Sequence, residues 1–496
     1  SAISYPNVTA ALDYDTDQTY KLSPQRLLWN LDLLGLHGPL NEYLGVFWWN
    51  QRKRVGGSVA TTTVTFSGWS GLAGDGIAWL QFGGRYQNDS EQGTLLGKTS
   101  FPLDTDAGVA AHFAAFINSM LVGVFATANG NILTITTFSW FYEFALWAWT
   151  DAEGGPVGSV SISGALGQGT EGTWTVDDTV SPPLNRAAAD WHADLFAGIA
   201  AMGWTIATSI SMEVVNPPDN PPAAVWSARF ADGAAVETAT GFNNLVSTQC
   251  SFTAAVRAYQ AAAFTQIAQL QASAGLTPWL QFGEFLWWYF AQNGSMAYYD
   301  AETVAAAQSA LGRPLASFVS PTSDPSVSGY ADANFLRSRL KSHVDVIRAV
   351  VLAAVPGAKF ELLWPYDVNY PTSNQYNVGG QLNRYVNLPV EYQQQTGSGL
   401  DRLKIEALSF GSQERNFTKA LASMTFPATA PLSWPESAVG YLIPWFNGGC
   451  PWDREWLAVT DPSLSPAWIG FWAIDHLCSF GWPLPLPVRK SNSQVY

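Results

Sequence analysis

The sequence predicts an α/β protein: a (β/α)8 barrel of the TIM type, irregular at its start and preceded by a small α+β domain. Three observations lead there. From Arg186 onward helical and strand patterns alternate, which implies a parallel sheet, and six strands followed by long loops fit a closed barrel better than a doubly wound sheet. The run Thr277-Pro278-Trp279-Leu280-Gln281-Phe282-Gly283-Glu284 is short and apolar, is entered from the helix-ending Gly275, and closes on a carboxylate, as a buried parallel strand does at a barrel mouth. The first 180 residues lack this alternation and, after a helical start, read as strands around a helix over 107–120.

In chain order, residues 22–49 read as helical and then apolar, and the basic cluster Arg52-Lys53-Arg54 reads as a solvated turn. Residues 61–67 alternate as a strand, and residues 77–82 form a second one that is expected to pair with the first as a hairpin. Asp104-Thr105-Asp106 is suited to cap a helix over 107–120, whose Val109, Phe113, Phe116 and Ile117 share one face. Asn129-Gly130 is a hairpin turn between the strands 122–127 and 131–137. Ser181-Pro182-Pro183 breaks the chain, so the expected domains are a scaffold or contact module over 1–180 and the barrel over 181–496.

Within the barrel region, helices are expected over 187–201, 254–273 and 334–355, and strands over 206–213, 277–284, 359–364, 403–410, 439–446 and 468–474. Counted back from the C-terminus, these are strands three to eight. The first two strands are expected between Phe144 and Val176.

Composition removes several functions. A net charge of -15 with only 24 Lys and Arg argues against nucleic acid and against anionic membrane surfaces, and no run of eighteen apolar residues predicts membrane insertion. Cys250, Cys450 and Cys478 lie far apart and no two of the five histidines have ligand spacing, so neither a metal nor another cofactor is expected. No charged-then-apolar leader opens the sequence, which is expected of a chain without a signal peptide or with one already removed. Only 13% of residues are charged, against about 25% in ordinary globular domains, and 23 are Trp. Such a surface needs a long aromatic groove or subunit contacts to cover it.

Glu284 is the first candidate catalytic residue, because a carboxylate beside an aromatic wall suits holding a sugar ring and protonating its bridging oxygen. Glu406 within strand six and Glu213 at the end of strand three are the candidates for a second carboxylate. A charged Glu on a barrel strand is costly unless paired or hydrated, and Lys404, two positions before Glu406 and on the same face, is its expected partner. Glu361 reads as structural. Trp287, Trp288, Tyr289, Trp364 and Trp445 are expected to stack on sugar faces, with Asp367, Asn369 and Asp475 as further substrate-binding residues at the starts of loops.

A glutamate ending strand four resembles the general acid/base of the large retaining clan of TIM-barrel glycoside hydrolases. That clan places Asn before this residue, where this chain has Gly283, and its nucleophile is a Glu ending strand seven, where Tyr441-Leu442-Ile443-Pro444-Trp445-Phe446 has no carboxylate. The resemblance spans roughly residues 186–485. The N-terminal part resembles the small β-rich modules of phage-tail and cell-surface proteins. Two functions are therefore expected of the chain. In one it is a carbohydrate-active protein acting on a neutral polysaccharide or oligosaccharide through paired carboxylates. In the other it is a subunit of a phage tail or extracellular homopolymeric filament, associated with itself and displaying a glycosidase-like barrel. Both place it outside the cell or on a virion or cell surface.

Overall fold

The computed structural model describes residues 7–13, 20, 22–44, 49–72, 76–84, 94–99, 104–121, 123–138, 144–152, 156–164, 166–167, 169–218, 225–238, 247–287, 289–290, 295–371, 380–407, 417–444 and 466–474. The chain opens with β1 (Val8–Asp13), α1 (Pro24–Leu33) and β2 (Leu40–Tyr43). Pro24 at the first helical position and the Ser23 hydroxyl, which accepts from the Arg26 amide at 3.2 Å, start α1.

An insertion follows: β3 (Arg52–Val55), β4 (Thr61–Ser67), β5 (Ile77–Gly84), β6 (Thr94–Thr99), α2 (Asp106–Met120), β7 (Val124–Asn129), β8 (Ile132–Thr137), β9 (Phe144–Asp151), β10 (Ser159–Ile162) and β11 (Thr173–Val176). The chain then continues through α3 (Arg186–Ala201) and β12 (Ile206–Ser211) to the short strands β13 (Glu213–Val215), β14 (Glu237–Thr238) and β15 (Ser247–Gln249). Next come α4 (Ala254–Ser273), β16 (Trp279–Gly283), the ribbon β17 (Tyr289–Phe290) and β18 (Ser295–Met296), α5 (Ala301–Leu311) and α6 (Ala331–Ala354). Finally there are β19 (Lys359–Pro365), α7 (Gln381–Val386), β20 (Arg402–Glu406), α8 (Phe417–Thr425), β21 (Val439–Pro444) and β22 (Trp468–Trp472). No described helix is long and apolar enough to cross a membrane.

A closed barrel runs β1-β2-β12-β16-β19-β20-β21-β22, every neighbour parallel, with Ala10 of β1 facing Phe471 of β22 to shut it. The predicted fold is therefore present, and strands three to eight lie where the alternation put them. Strands one and two do not: they are β1 and β2, not segments between 144 and 176. β2, Leu40-Asn41-Glu42-Tyr43, lacks the apolar run that marks a buried strand, and in β1 that run is only Ala10-Ala11-Leu12. In β2, Asn41 reaches Lys404 across the barrel lumen, while Glu42 is buried on the outer side against His192 and Thr208.

Because these strands come from the first fifty residues, the chain divides differently from the expected 1–180 and 181–496. One compact unit holds residues 1–52 with 176–496, and the other holds 53–175. The Asp177 amide donates to the Gln51 carbonyl at 2.8 Å, so the chain leaves and re-enters the barrel unit at adjacent points.

The inserted unit has two antiparallel sheets, β10-β4-β8-β7 and β6-β5-β9, with a core of its own that includes Phe66, Trp69, Leu80, Phe113 and Ile117. Thr105 caps α2 by accepting from the Gly108 amide at 3.0 Å, and Gly130, at φ +57°, makes the β7–β8 turn. The expected hairpin of β4 with β5 is absent. Alternation gives each strand a buried face but does not name its partner, and β4 pairs with β8 and β10 while β5 pairs with β6 and β9. The basic cluster is a strand rather than a turn: β3 pairs with β11.

The barrel lumen is filled in layers. At the N-terminal end the Arg402 guanidinium lies 3.5 Å from the centre of the Trp279 ring and 4.9 Å from that of Trp468. Above it is a polar layer in which Asn41 Oδ1 accepts from Lys404 Nζ at 2.5 Å and from Gln281 Nε2 at 2.9 Å, and Gln281 also donates to Glu361. Ala11, Leu363 and Leu442 pack above that, with Tyr43 and Trp472 against them.

Candidate functional site

Alternation along a strand puts Glu406 on the same face as Lys404, and Lys404 bonds to Asn41 on a strand that is not its neighbour. Glu406 therefore points into the lumen one layer above Lys404, at the C-terminal mouth. Two more carboxylates belong to the same region. Glu284 directly follows β16 with φ at +53°, a left-handed conformation that a residue with a side chain seldom adopts. Before it, Gly283 has no room for a side chain, since a Cβ there would stand 2.3 Å from Ser209 Oγ. Asp367 is in the turn after β19, buried, and its Oδ1 accepts from the Val368 amide at 2.9 Å.

The electrostatics tie the three together. Burial raises the Glu406 carboxyl well above the usual carboxylate range, the charges of Glu284 and then Asp367 push it the same way, and Lys404 only partly opposes them. Burial likewise pulls the Lys404 ammonium down to about 8, against the raising influence of Glu361 and Glu406. A buried carboxyl whose proton is held more tightly than usual, beside two further acidic groups, is able to hand that proton to a bound oxygen while a neighbour supplies negative charge.

Asn387 holds the mouth in place, and no sequence signal announced it. Its Oδ1 accepts from the Trp287 amide at 2.7 Å, and its Nδ2 donates to the Trp287 carbonyl at 3.1 Å and to Asn369 Oδ1 at 3.0 Å. The loops after β16 and β19 are thereby fastened to one side chain at the end of α7. Tyr366 and Arg384 form a second such pair. Burial raises the phenol and lowers the guanidinium, and each favours the charged form of the other.

Several predicted site residues have other duties. Trp287 is 2% exposed and donates its Nε1 to the Leu336 carbonyl at 2.8 Å; Trp364 is 1% exposed, donates to the Asn387 carbonyl at 3.0 Å and stacks on Phe426. Neither offers a face to a sugar. Both are core residues: Trp364 is within β19 on the face away from the lumen, and Trp287, after β16, is bonded to the backbone of α6. Asn369 is fully buried and spends its amide on the Pro365 carbonyl, so it braces the loop. β12 ends at Ser211, whose hydroxyl accepts from the Glu213 amide at 3.2 Å; Glu213 then opens β13 opposite Gln249, in a sheet separate from the barrel. The groups whose charge is felt at Glu406 are Glu284, Asp367 and Lys404. Trp288, Trp445 and Asp475 lie outside the described residues, as does the side chain of Tyr289. His192 accompanies Glu42 and the Ala188 carbonyl, and Cys250 is buried. Among the described residues no three His, Cys, Asp or Glu are grouped to hold a metal ion.

Comparison with solved structures gives slight likenesses. The glycoside hydrolase domain of PgaB (BpsB) from Bordetella bronchiseptica is 12% identical, with 58% of this chain and 75% of that one covered and a TM-score of 0.36. A chitinase from Chromobacterium violaceum is 10% identical over 55% of this chain and 56% of its own, with a TM-score of 0.21. The old yellow enzyme from Trypanosoma cruzi is 11% identical over 61% and 74%, with a TM-score of 0.29. Likenesses this slight carry no argument about activity. Among curated proteins none matches. The family model for the TIM barrel of non-contractile tail sheath proteins matches residues 164–461, more than half of the chain and a span that takes in β12 to β21, and on that match the chain belongs to the non-contractile tail sheath protein TIM-barrel family.

Proposed function

We propose that this chain is a virion-associated sheath subunit that assembles with copies of itself around a non-contractile tail. The observation that carries the reading is the family match across the barrel. Composition supports it: a chain with about half the usual charge density and 23 Trp has surface that subunit contacts would cover. A head-to-tail contact whose rotation does not close generates a helical polymer, which is the geometry a sheath requires. Light scattering and negative-stain micrographs of purified full-length protein test this. Tubes, rings or filaments are expected, and a stable monomer at every concentration tried would reject the proposal.

A second reading is favoured by the carboxylates at the barrel mouth. In it the sheath subunit also cleaves or holds a neutral glycan, with Glu406 as the proton donor and Glu284 or Asp367 as the charged partner. The resemblance in sequence assigned the acid's role to Glu284; the burial and surroundings of Glu406 favour the reverse assignment. Glu406→Gln would then lower turnover on a cleaved glycan by about 10²-fold to 10⁴-fold, leaving binding nearly intact. The anomeric configuration of the first product distinguishes retention from inversion. Unchanged turnover in Glu406→Gln removes it from the chemistry.

A further inference from the structure

Among the described residues, two exposed tryptophans, Trp147 and Trp149, share one strand of the inserted unit. In the inserted unit, the sheet β6-β5-β9 buries Ala78, Leu80 and Phe82 on one face, which leaves Trp79 and Gln81 of β5 on the other. Residues directly opposite in an antiparallel pair share a face, and Trp79 stands opposite Trp149 while Gln81 stands opposite Trp147. Trp147 is 44% exposed and Trp149 39%. The Trp79 and Trp149 rings lie 6.2 Å apart with their planes within 21° of parallel.

Glycines make this face flat. A Cβ on Gly97, opposite Trp79, would stand 2.4 Å from Trp79 Cζ3, and a Cβ on Gly83 would stand 3.0 Å from Trp147 Cζ3. The indoles therefore lie down over neighbouring backbone and do not stand up as knobs. Gln81 and Asp151 lie on the same face at its polar positions.

We propose that Trp79, Trp147 and Trp149 form a binding platform for a neutral polysaccharide, separate from the carboxylates of the barrel. Sugar rings with equatorial hydroxyls present flat C–H faces that stack on an indole, while their hydroxyl edges need hydrogen-bond partners such as an amide and a carboxylate. A protein partner is a poorer fit, since interface cores interlock side chains and are depleted of charge, whereas this face is planar and carries Asp151. The net charge of -15 disfavours an anionic polymer.

The test is affinity electrophoresis of full-length protein in gels containing mixed-linkage β-glucan or galactomannan, with sedimentation on cellulose and chitin. Retardation or co-sedimentation with at least one of the four is expected. Trp147→Ala with Trp149→Ala should weaken it by about a hundredfold, taking roughly tenfold for each stacked ring. Gly97→Val, which keeps every indole but displaces Trp79, should weaken it as well, and Trp174→Ala, an exposed tryptophan away from the platform, should not. Thermal melts confirm that each variant is folded. Binding to none of the four probes, or unchanged binding in the double variant, overturns the proposal. So does a double variant whose only change is a smaller particle in light scattering, because the face would then be a contact between copies. Assembly is read separately, so loss of the sheath reading and loss of glycan binding are distinguishable.

Discussion

Glu406 and Asn387 show two ways in which single side chains set up this barrel mouth. Glu406 has a folded value raised above its unfolded one, so between the two the folded chain holds a proton that the unfolded chain has lost. Its contribution to stability therefore declines as pH rises from the ordinary carboxylate range through the folded value. Lys404 runs the other way: with a folded value of about 8 against 10.5, it makes the fold more stable as pH climbs between them. Comparing Glu406→Gln with the unaltered protein isolates the first effect. The variant should match it near pH 4 and melt higher at pH 8, by on the order of 1 kcal/mol or about 1 °C. A difference that does not grow with pH would show that Glu406 is ionised in the fold. Asn387→Ala strips three hydrogen bonds from buried loop groups. At about 1 kcal/mol or more each, the thermal midpoint should drop by roughly 4 °C or more. A drop below about 2 °C would mean that water replaces the amide.

At the scale of elements, the barrel is built from pieces that the chain separates widely. β1 and β2 close it on one side, so removing residues 1–49 takes out two of eight strands. That truncation should give insoluble or unfolded protein by circular dichroism, in place of the dispersed barrel that an N-terminal contact module would leave. The informative deletion is the insertion. Since Gln51 and Asp177 are backbone hydrogen-bond partners, residues 53–175 are replaceable by a short turn with little cost in loop closure. The shortened chain should melt cooperatively, and if the inserted unit makes the subunit contacts it should be monomeric by light scattering. Retained assembly would place those contacts on the barrel unit.

For the whole molecule, family and composition point to the same behaviour. A sheath subunit must expose surface to its neighbours; with 13% charged residues much of that surface is uncharged, and salt screens the repulsion between copies that each carry a net charge of -15. Assembly driven by apolar contact should survive salt. Raising ionic strength from about 0.1 M to 1 M shortens the screening length from about 10 Å to 3 Å, and the particle size should hold or grow. Dissociation at high salt would instead assign the contacts to ion pairs.

The alternation of helix and strand after Arg186, the cap at Thr105 and the Asn129-Gly130 turn were legible because each is a local pattern with a local physical cause. Glu284 at a strand end was legible for the same reason. Pairing and exposure are not local. β2 carries polar residues, Asn41 and Glu42, that only the opposite wall of the lumen and α3 explain, through Lys404, Gln281 and His192. An aromatic residue reads alike whether it is walled in, as Trp287 and Trp364 are, or laid open over glycine, as Trp147 is. The sequence alone determined the fold class and the acidic end of β16. The tertiary structure decided which carboxylates share a field and which tryptophans meet solvent, because both depend on strands far apart in the chain being brought to neighbouring positions.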